Sequence, residues 1–292
     1  MKEFIKKNKI KFVSIFTTEK RVDFKILNIM GLQILRYLFS KIIYLISGFF
    51  FHNKKILQNY DRDGYLLINN FLDQNEYIKL KEEFEIIINT EGKNIYDMAR
   101  DNHKNANSSV NHIAYDFKND PDINVKFPNI SKFYNNVKLS ELFKNAERKK
   151  NINLFMRIER IVTKDKFKND ANTYWHVDTF HDTHKGWLYL TDVKKENGPF
   201  NYLVGSNKFS FSRMMWEYYN SIQTFLDTTL SLGFLDYKLS NKFEAKKIEV
   251  ICKENSFLIA NTHGYHRRGN AETNQIRDGF AFYVRENPFK KF

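Results

Sequence analysis

The sequence predicts a mainly β protein, an antiparallel sandwich or barrel with helices at its flanks, and three observations predict it. From about Asn153 onward, short runs rich in aromatic and β-branched residues succeed one another, as strands do. A strong turn signal, Lys195-Glu196-Asn197-Gly198-Pro199, divides two of them. Helices do not alternate regularly with these runs, as a parallel doubly wound sheet would require. No internal repeat and no Gly-rich phosphate loop is visible.

In chain order, residues 25–51 (KILNIMGLQILRYLFSKIIYLISGFFF) come first and are the most apolar stretch. Arg36 and Lys41 interrupt it before the roughly 20 uncharged residues of a spanning helix accumulate. Lys25, Asn28, Gln33, Arg36, Ser40 and Ser47 leave a narrow polar stripe on an otherwise apolar helix. Two roles fit: packing on the main domain or a second subunit, or lying on an anionic membrane with help from the basic residues before it. Residues 1–58 therefore read as a basic, apolar helical extension and 59–292 as the main domain.

After Arg62-Asp63-Gly64, the run YLLIN fits a strand. Asp73 with Glu76 fits a capping box, opening a helix on which Tyr77, Leu80, Phe84 and Ile87 share a face. Residues 96–136, rich in Asn, Asp and Lys, read as long loops around a site mouth. The strand series is LFMRIERIVT, TYWHVDTF, GWLYLTDV, FNYLV, KIEVIC, SFLIAN and GFAFYVR. A helical insertion at about 209–234 interrupts it, its Trp216, Tyr218 and Tyr219 suited to packing or to a lid.

Hydrophobic content of 42% with 28% charged residues describes a chain with a sizeable core, neither disordered nor fibrous. Of the formal +13 charge, +9 sits in residues 1–60, where twelve Lys or Arg face three acids. Phosphate binding needs clustered cations, and the other 232 residues carry only +4, so nucleic acid is not the expected partner. The lone Cys252 excludes an internal disulfide and a multi-Cys zinc site. A cytoplasmic setting is expected, with membrane association through residues 25–51 as its variant, and no secretory signal is evident. Nothing in the sequence sets the oligomeric state.

The stretch YWHVDTFHDTH, residues 174–184, packs three histidines and two aspartates into eleven positions. Residues two apart on a strand share a face, so His176 and Asp178 can grip one ion while Val177 points into packing. His181, Asp182 and His184 are expected in the following turn, outside the ligand set. A third donor is offered by ANTHGYHRRGNAETNQIRDGFAFYV, through His263 or His266, with Arg277 further on. Two histidines and a carboxylate on one face of a metal leave positions for a chelating 2-oxo acid and O2. A buried Arg suits the far carboxylate of that acid, because its planar fork bonds a carboxylate twice. A zinc hydrolase could use some of the same residues.

The run WHVDTFHDTHKGWLYLTDVKKENGPFNYLVGSNKF, with GYHRRG and Arg277 eleven positions after His266, resembles the phytanoyl-CoA dioxygenase-like family of Fe(II)/2-oxoglutarate oxygenases. The likeness spans roughly residues 60–286 and includes the Arg62–Ile68 start. It implies a double-stranded β-helix core, the jelly-roll or cupin-like fold, with flanking α-helices. It implies His176, Asp178 and His266 as iron ligands, His266 being preferred to His263 by its G-x-H context and its spacing to Arg277. Arg277 is implied as the 2-oxoglutarate anchor, and Trp187 as lining of the co-substrate pocket or else a core aromatic.

The implied cofactors are Fe(II), 2-oxoglutarate and O2. The implied activity is a dioxygenase that hydroxylates a small or lipid-like molecule and releases succinate and CO2. A catalytically silent barrel, serving as a binding or membrane-associated module, is the alternative. Two positions depart from the family pattern: Gly205-Ser206-Asn207 stands for a GSH turn, and Arg268 for a small hydroxylated residue. Asp178 is retained, which disfavours the halogenating variants of the fold. His52, His103 and His112 are expected on the surface or in loops, and at most one of Arg157 and Arg160 faces the interior.

Overall fold

The computed structural model describes residues 25–51, 54–94, 110–116, 122–165, 171–223, 233–234, 246–284 and 286–290. Among the described residues three helices come first, α1 (Lys25–Ile29), α2 (Leu32–Phe51) and α3 (Lys54–Asp63). The first half continues with β1 (Tyr65–Ile68), α4 (Gln74–Thr90), β2 (Lys93–Asn94) and β3 (Val110–Asp116). Helices α5 (Ile123–Lys126), α6 (Pro128–Tyr134) and α7 (Val137–Glu147) lead to β4 (Leu154–Thr163). The second half holds β5 (His176–Val177), β6 (His184–Tyr189), β7 (Phe200–Leu203), α8 (Phe211–Gln223) and β8 (Gly233–Phe234). It ends with β9 (Lys247–Val250), β10 (Ser256–Asn261), β11 (His266–Arg268) and β12 (Ile276–Val284).

The strands form two antiparallel sheets, ordered β1-β10-β6-β12-β4-β3-β2 and β8-β5-β11-β7-β9. This is the jelly-roll arrangement, and it explains the texture of the sequence. One set of alternate side chains on the larger sheet, including Ile158, Leu188, Phe257, Phe280 and Phe282, packs beneath the helices against Phe84, Phe133 and Phe143. The other set, including Trp187, Tyr189 and Leu258, meets Phe200 and Tyr202 of the smaller sheet. Strands apolar on both faces read as nearly continuous hydrophobic runs.

Helix α4 starts as expected, with the Asp73 side chain accepting the Glu76 N–H at 2.9 Å, and it buries Tyr77, Leu80, Phe84 and Ile87. Residues 96–136 differ from the expectation of long loops, because β3, α5 and α6 lie within them. The periodicity there is hidden: Ile113 and Tyr115 pack toward the helices, while the opposite face of β3 carries His112 and Ala114. The run TYWHVDTF forms only a two-residue strand, preceded by a tight helical turn at Ala171–Thr173. Asp178 follows the ladder, its N–H donating to Thr262 O at 3.1 Å. Of the insertion at 209–234, α8 and β8 are seen, and residues 224–232 lie outside the described residues.

Candidate metal and co-substrate site

The smaller sheet sets β5 beside β11, with His176 opposite His266. Asp178, two residues beyond His176, returns to the same side. The donor atoms of His176, Asp178 and His266 all lie within 4.8 Å of one another, and the two imidazole centroids are 4.4 Å apart. Each ring is oriented from behind: His176 Nδ1 stands 2.8 Å from Tyr174 O and His266 Nδ1 3.0 Å from Gly264 O. A carbonyl oxygen only accepts, so Nδ1 bears a proton in both rings, and in a neutral ring the lone pair is then on Nε2. Outer partners of this kind orient metal-binding histidines.

The electrostatics favour a cation. Burial disfavours the Asp178 anion, yet the charges around it, Lys185 foremost, hold the carboxyl well below the usual range. Lys185 Nζ already sits 2.8 Å from Asp178 Oδ2, so this carboxylate draws a positive charge from the protein itself. Burial first, and then the neighbouring His176, push His266 down to about 3. Its imidazole is therefore neutral at ordinary pH, the form that binds metal. One carboxylate and two imidazoles on one side of a common point fit a divalent transition ion with open positions opposite.

His263 does not join this cluster. Its Nδ1 lies 3.2 Å from both Arg213 and Thr179 O, and burial keeps its pKa well below the ordinary value. Of the two distal candidates, the fold brings His266 to the triad.

Arg277 stands on the face of β12 that carries Gly279 opposite Tyr189 and Ala281 opposite Trp187. Its Nη1 donates to Gly198 O in the predicted turn. Gly198 has a φ of 68°, and a Cβ there would come within 3.0 Å of Gly269 O, so the turn requires glycine. Burial lowers the Arg277 pKa, Tyr189 and Glu159 counter it, and Arg268 adds to it. Arg268, two residues after His266 on β11, is thus a second cation beside Arg277. Trp187, partly buried against the cluster between the sheets, lies 5.1 Å from Phe200, which stacks on His266 at 5.7 Å, one ring removed from the triad.

Several residues of this interior escaped the sequence reading. His112 is not on the surface: it sits on β3 with Nε2 2.9 Å from Glu159 Oε2. Burial opposes the Glu159 charge, but His112, Arg277 and Arg157 hold it below the usual range. Parity along LFMRIERIVT was the available signal, since Arg157 and Glu159 point opposite to the core residue Ile158. Arg160 turns outward, to Asp278 and Glu85 at 2.8 Å. Lys185 shares parity with Trp187 and could have been placed the same way. His52 and His103 lie outside the described residues.

His181, Asp182 and His184 stay out of the triad, but His184 is a strand residue, not a turn residue, and none of the three is exposed. Asp182 accepts from Lys41 Nζ and Asn261 Nδ2, each at 2.7 Å. His184 Nδ1 pairs with Glu147 Oε1 at 2.7 Å, its ring beside Tyr44 and Tyr60. The helices that supply these partners are distant in sequence, 141 residues in the case of Lys41 and Asp182, so no local pattern announces them.

A family profile described as phytanoyl-CoA dioxygenase matches residues 60–247. Among solved structures, HygX from Streptomyces hygroscopicus with nickel, 2-oxoglutarate and hygromycin B bound is 15% identical, with 82% of this chain and 90% of that chain covered and a TM-score of 0.52. EctD from S. alaskensis with 2-oxoglutarate and 5-hydroxyectoine is 15% identical over 81% and 79%, with a TM-score of 0.51. The epimerase SnoN from nogalamycin biosynthesis, in complex with Fe3+, alpha ketoglutarate and nogalamycin RO, is 14% identical over 80% and 83%, with a TM-score of 0.50. At these identities what is shared is the fold. A comparison with curated proteins finds no match. With a profile match spanning more than half its length and beginning just before the first strand, the chain belongs to the phytanoyl-CoA dioxygenase family.

Proposed function

We propose that the protein is an Fe(II)- and 2-oxoglutarate-dependent dioxygenase that hydroxylates a small or lipid-like molecule, releasing succinate and CO2. One observation carries the reading: three donor atoms converge within 4.8 Å while a backbone carbonyl behind each imidazole turns Nε2 toward the common point. His176, Asp178 and His266 would hold the iron, which when bound supplies the redox chemistry that couples 2-oxoglutarate decarboxylation to oxidation of the substrate.

The protein's own residues bind and orient. Arg277 offers a half-buried guanidinium to a carboxylate and is itself steadied by Gly198 O. Arg268 adds a second positive charge beside it, which favours a dianion such as 2-oxoglutarate. Trp187, with Phe200, walls the pocket and keeps water from the reacting atoms. The Glu159 carboxylate, held by His112, sets a negative charge against Arg277. The proposed compartment is the cytoplasm, in keeping with the lone Cys252, whose thiol burial pushes up to about 11, out of the range of a reactive thiolate.

The test is an anaerobic titration of the purified chain with Fe(II) and then 2-oxoglutarate. A visible charge-transfer band should develop only when both are present, and admitting O2 with a library of small and lipid-like molecules should stimulate succinate formation. Arg277→Gln should raise the 2-oxoglutarate concentration needed for the band by about 10–100-fold. Iron binding without any band would reject the reading, and a product that has gained no oxygen atom would reject hydroxylation.

A further inference from the structure

A surface helix in water turns its apolar stripe inward, and α2 does the reverse. Gln33, Arg36, Ser40, Lys41 and Ser47 are buried against the body of the protein. Leu35, Phe39, Ile42, Ile46 and Phe49, at alternating steps of four and three, line the outer side. The contrast is wide: Arg36 is 0% exposed, Leu35 63% and Phe49 86%. Helix α1 and the turn after it extend the same character with exposed Ile26, Ile29 and Met30.

Polar contacts lock this orientation. Lys41 Nζ donates to Asp182 at 2.7 Å and to Asn207 O at 3.0 Å, and Tyr44 OH donates to Ala146 O at 2.9 Å. Asn28 of α1 donates to Ser221 O at 3.1 Å, and the Arg36 guanidinium lies 4.5 Å over the Phe180 ring. Turning the helix to hide its apolar stripe would break all of these and bring hydrocarbon against Asp182. An apolar strip held outward in this way marks an interaction surface.

We propose that the outer face of α1 and α2 seats on an anionic lipid surface, with α2 lying in the plane of the interface. Charge selects this occupant. Apart from the inward-turned Arg36 and Lys41, residues 1–60 carry ten Lys or Arg against three acids, which draws the strip toward negative headgroups. The same excess, 10 − 3 = +7, on each copy would repel in a dimer formed through this face. Length permits a span, since α2 has 20 residues, but a spanning helix cannot keep Arg36 and Lys41 engaged with the jelly roll. This inference is independent of the chemistry proposed for the triad.

The experiment is co-sedimentation of the full chain with phosphatidylcholine vesicles and with vesicles mixing phosphatidylcholine and phosphatidylglycerol. The chain should bind the mixed vesicles more tightly, and added salt should weaken binding. A triple variant, Leu35→Ser, Ile42→Ser and Phe49→Ser, should bind at least about tenfold more weakly while keeping its thermal unfolding transition and its Fe(II) binding. Equal vesicle binding by the triple variant would overturn the proposal. So would a wild-type chain that ignores both vesicle types, whether monomeric or forming a dimer that the triple variant dissolves.

Discussion

Two histidine clusters stand on either side of one short stretch, and they differ in what completes them. In the triad, His176 and His266 are held through Nδ1 by backbone carbonyls, and their Nε2 atoms converge with Asp178 on a common point. In the cluster under α2, His184 pairs with Glu147, His263 with Arg213 and Thr179 O, and Asp182 with Lys41 and Asn261. Both use His and Asp from residues 174–184 and a His from 263–266. The first converges three donor atoms on one point, even though Lys185 already pairs with Asp178. The second is neutralised by the chain itself, and so reads as a clasp joining the N-terminal helices to the jelly roll. The lesson is that a density of metal-binding residue types says little, and the direction of the ring nitrogens says much.

The sharpest way to break this contrast is to exchange the damage. Asp178→Ala should lower iron-dependent succinate formation by more than about a hundredfold, whereas His181→Ala should leave most of it. Comparable losses in the two variants would show that the clusters are not functionally distinct.

Next in size is a loss of stability without a loss of iron. Lys41 and Asp182 are a buried ion pair, and removing one partner leaves a charge uncompensated. Lys41→Met should cost about 3 kcal/mol, read as a lower denaturation midpoint at an unchanged slope, with Fe(II) affinity preserved. An unchanged midpoint would dissolve the clasp.

The smallest effect is in pH. His263 has a pKa depressed by burial, so below about 6.5 the unfolded chain takes up a proton that the folded chain refuses. The resulting stability is fully present above that pH and declines as pH falls toward the folded-state value, by up to about 1.4 kcal/mol per pH unit for one such group. Asp182, also held low despite burial, loses its contribution in the same direction at more acid pH, below about 4. Urea midpoints between pH 7 and 5 should fall for the wild type and less steeply for His263→Asn. A flat wild-type profile would count against the sealed cluster.

Much of this was legible in the residues because the relevant patterns are local. Period-two parity relates His176 to Asp178, the Asp73 cap announces α4, and the offset from His266 to Arg277 survives as a spacing along two strands joined by a turn. His112 was not legible, since β3 turns polar His112 and small Ala114 toward the jelly-roll interior and its apolar Ile113 and Tyr115 toward the helices. Arg268 became interpretable only beside Arg277, a neighbour across the interior and not along a strand.

The sequence by itself determined the fold class, the residue types that could hold a metal, and the existence of a two-faced N-terminal helix. Each of these depends on periodicity, which a linear chain displays. The tertiary structure decided which histidines converge, which arginine faces inward, and which side of α2 is turned to the protein. Those choices depend on partners more than a hundred residues away: Asp182 for Lys41, Ala146 for Tyr44, and Ser221 for Asn28. A helix has two faces in the sequence, and only its neighbours select the one that is buried.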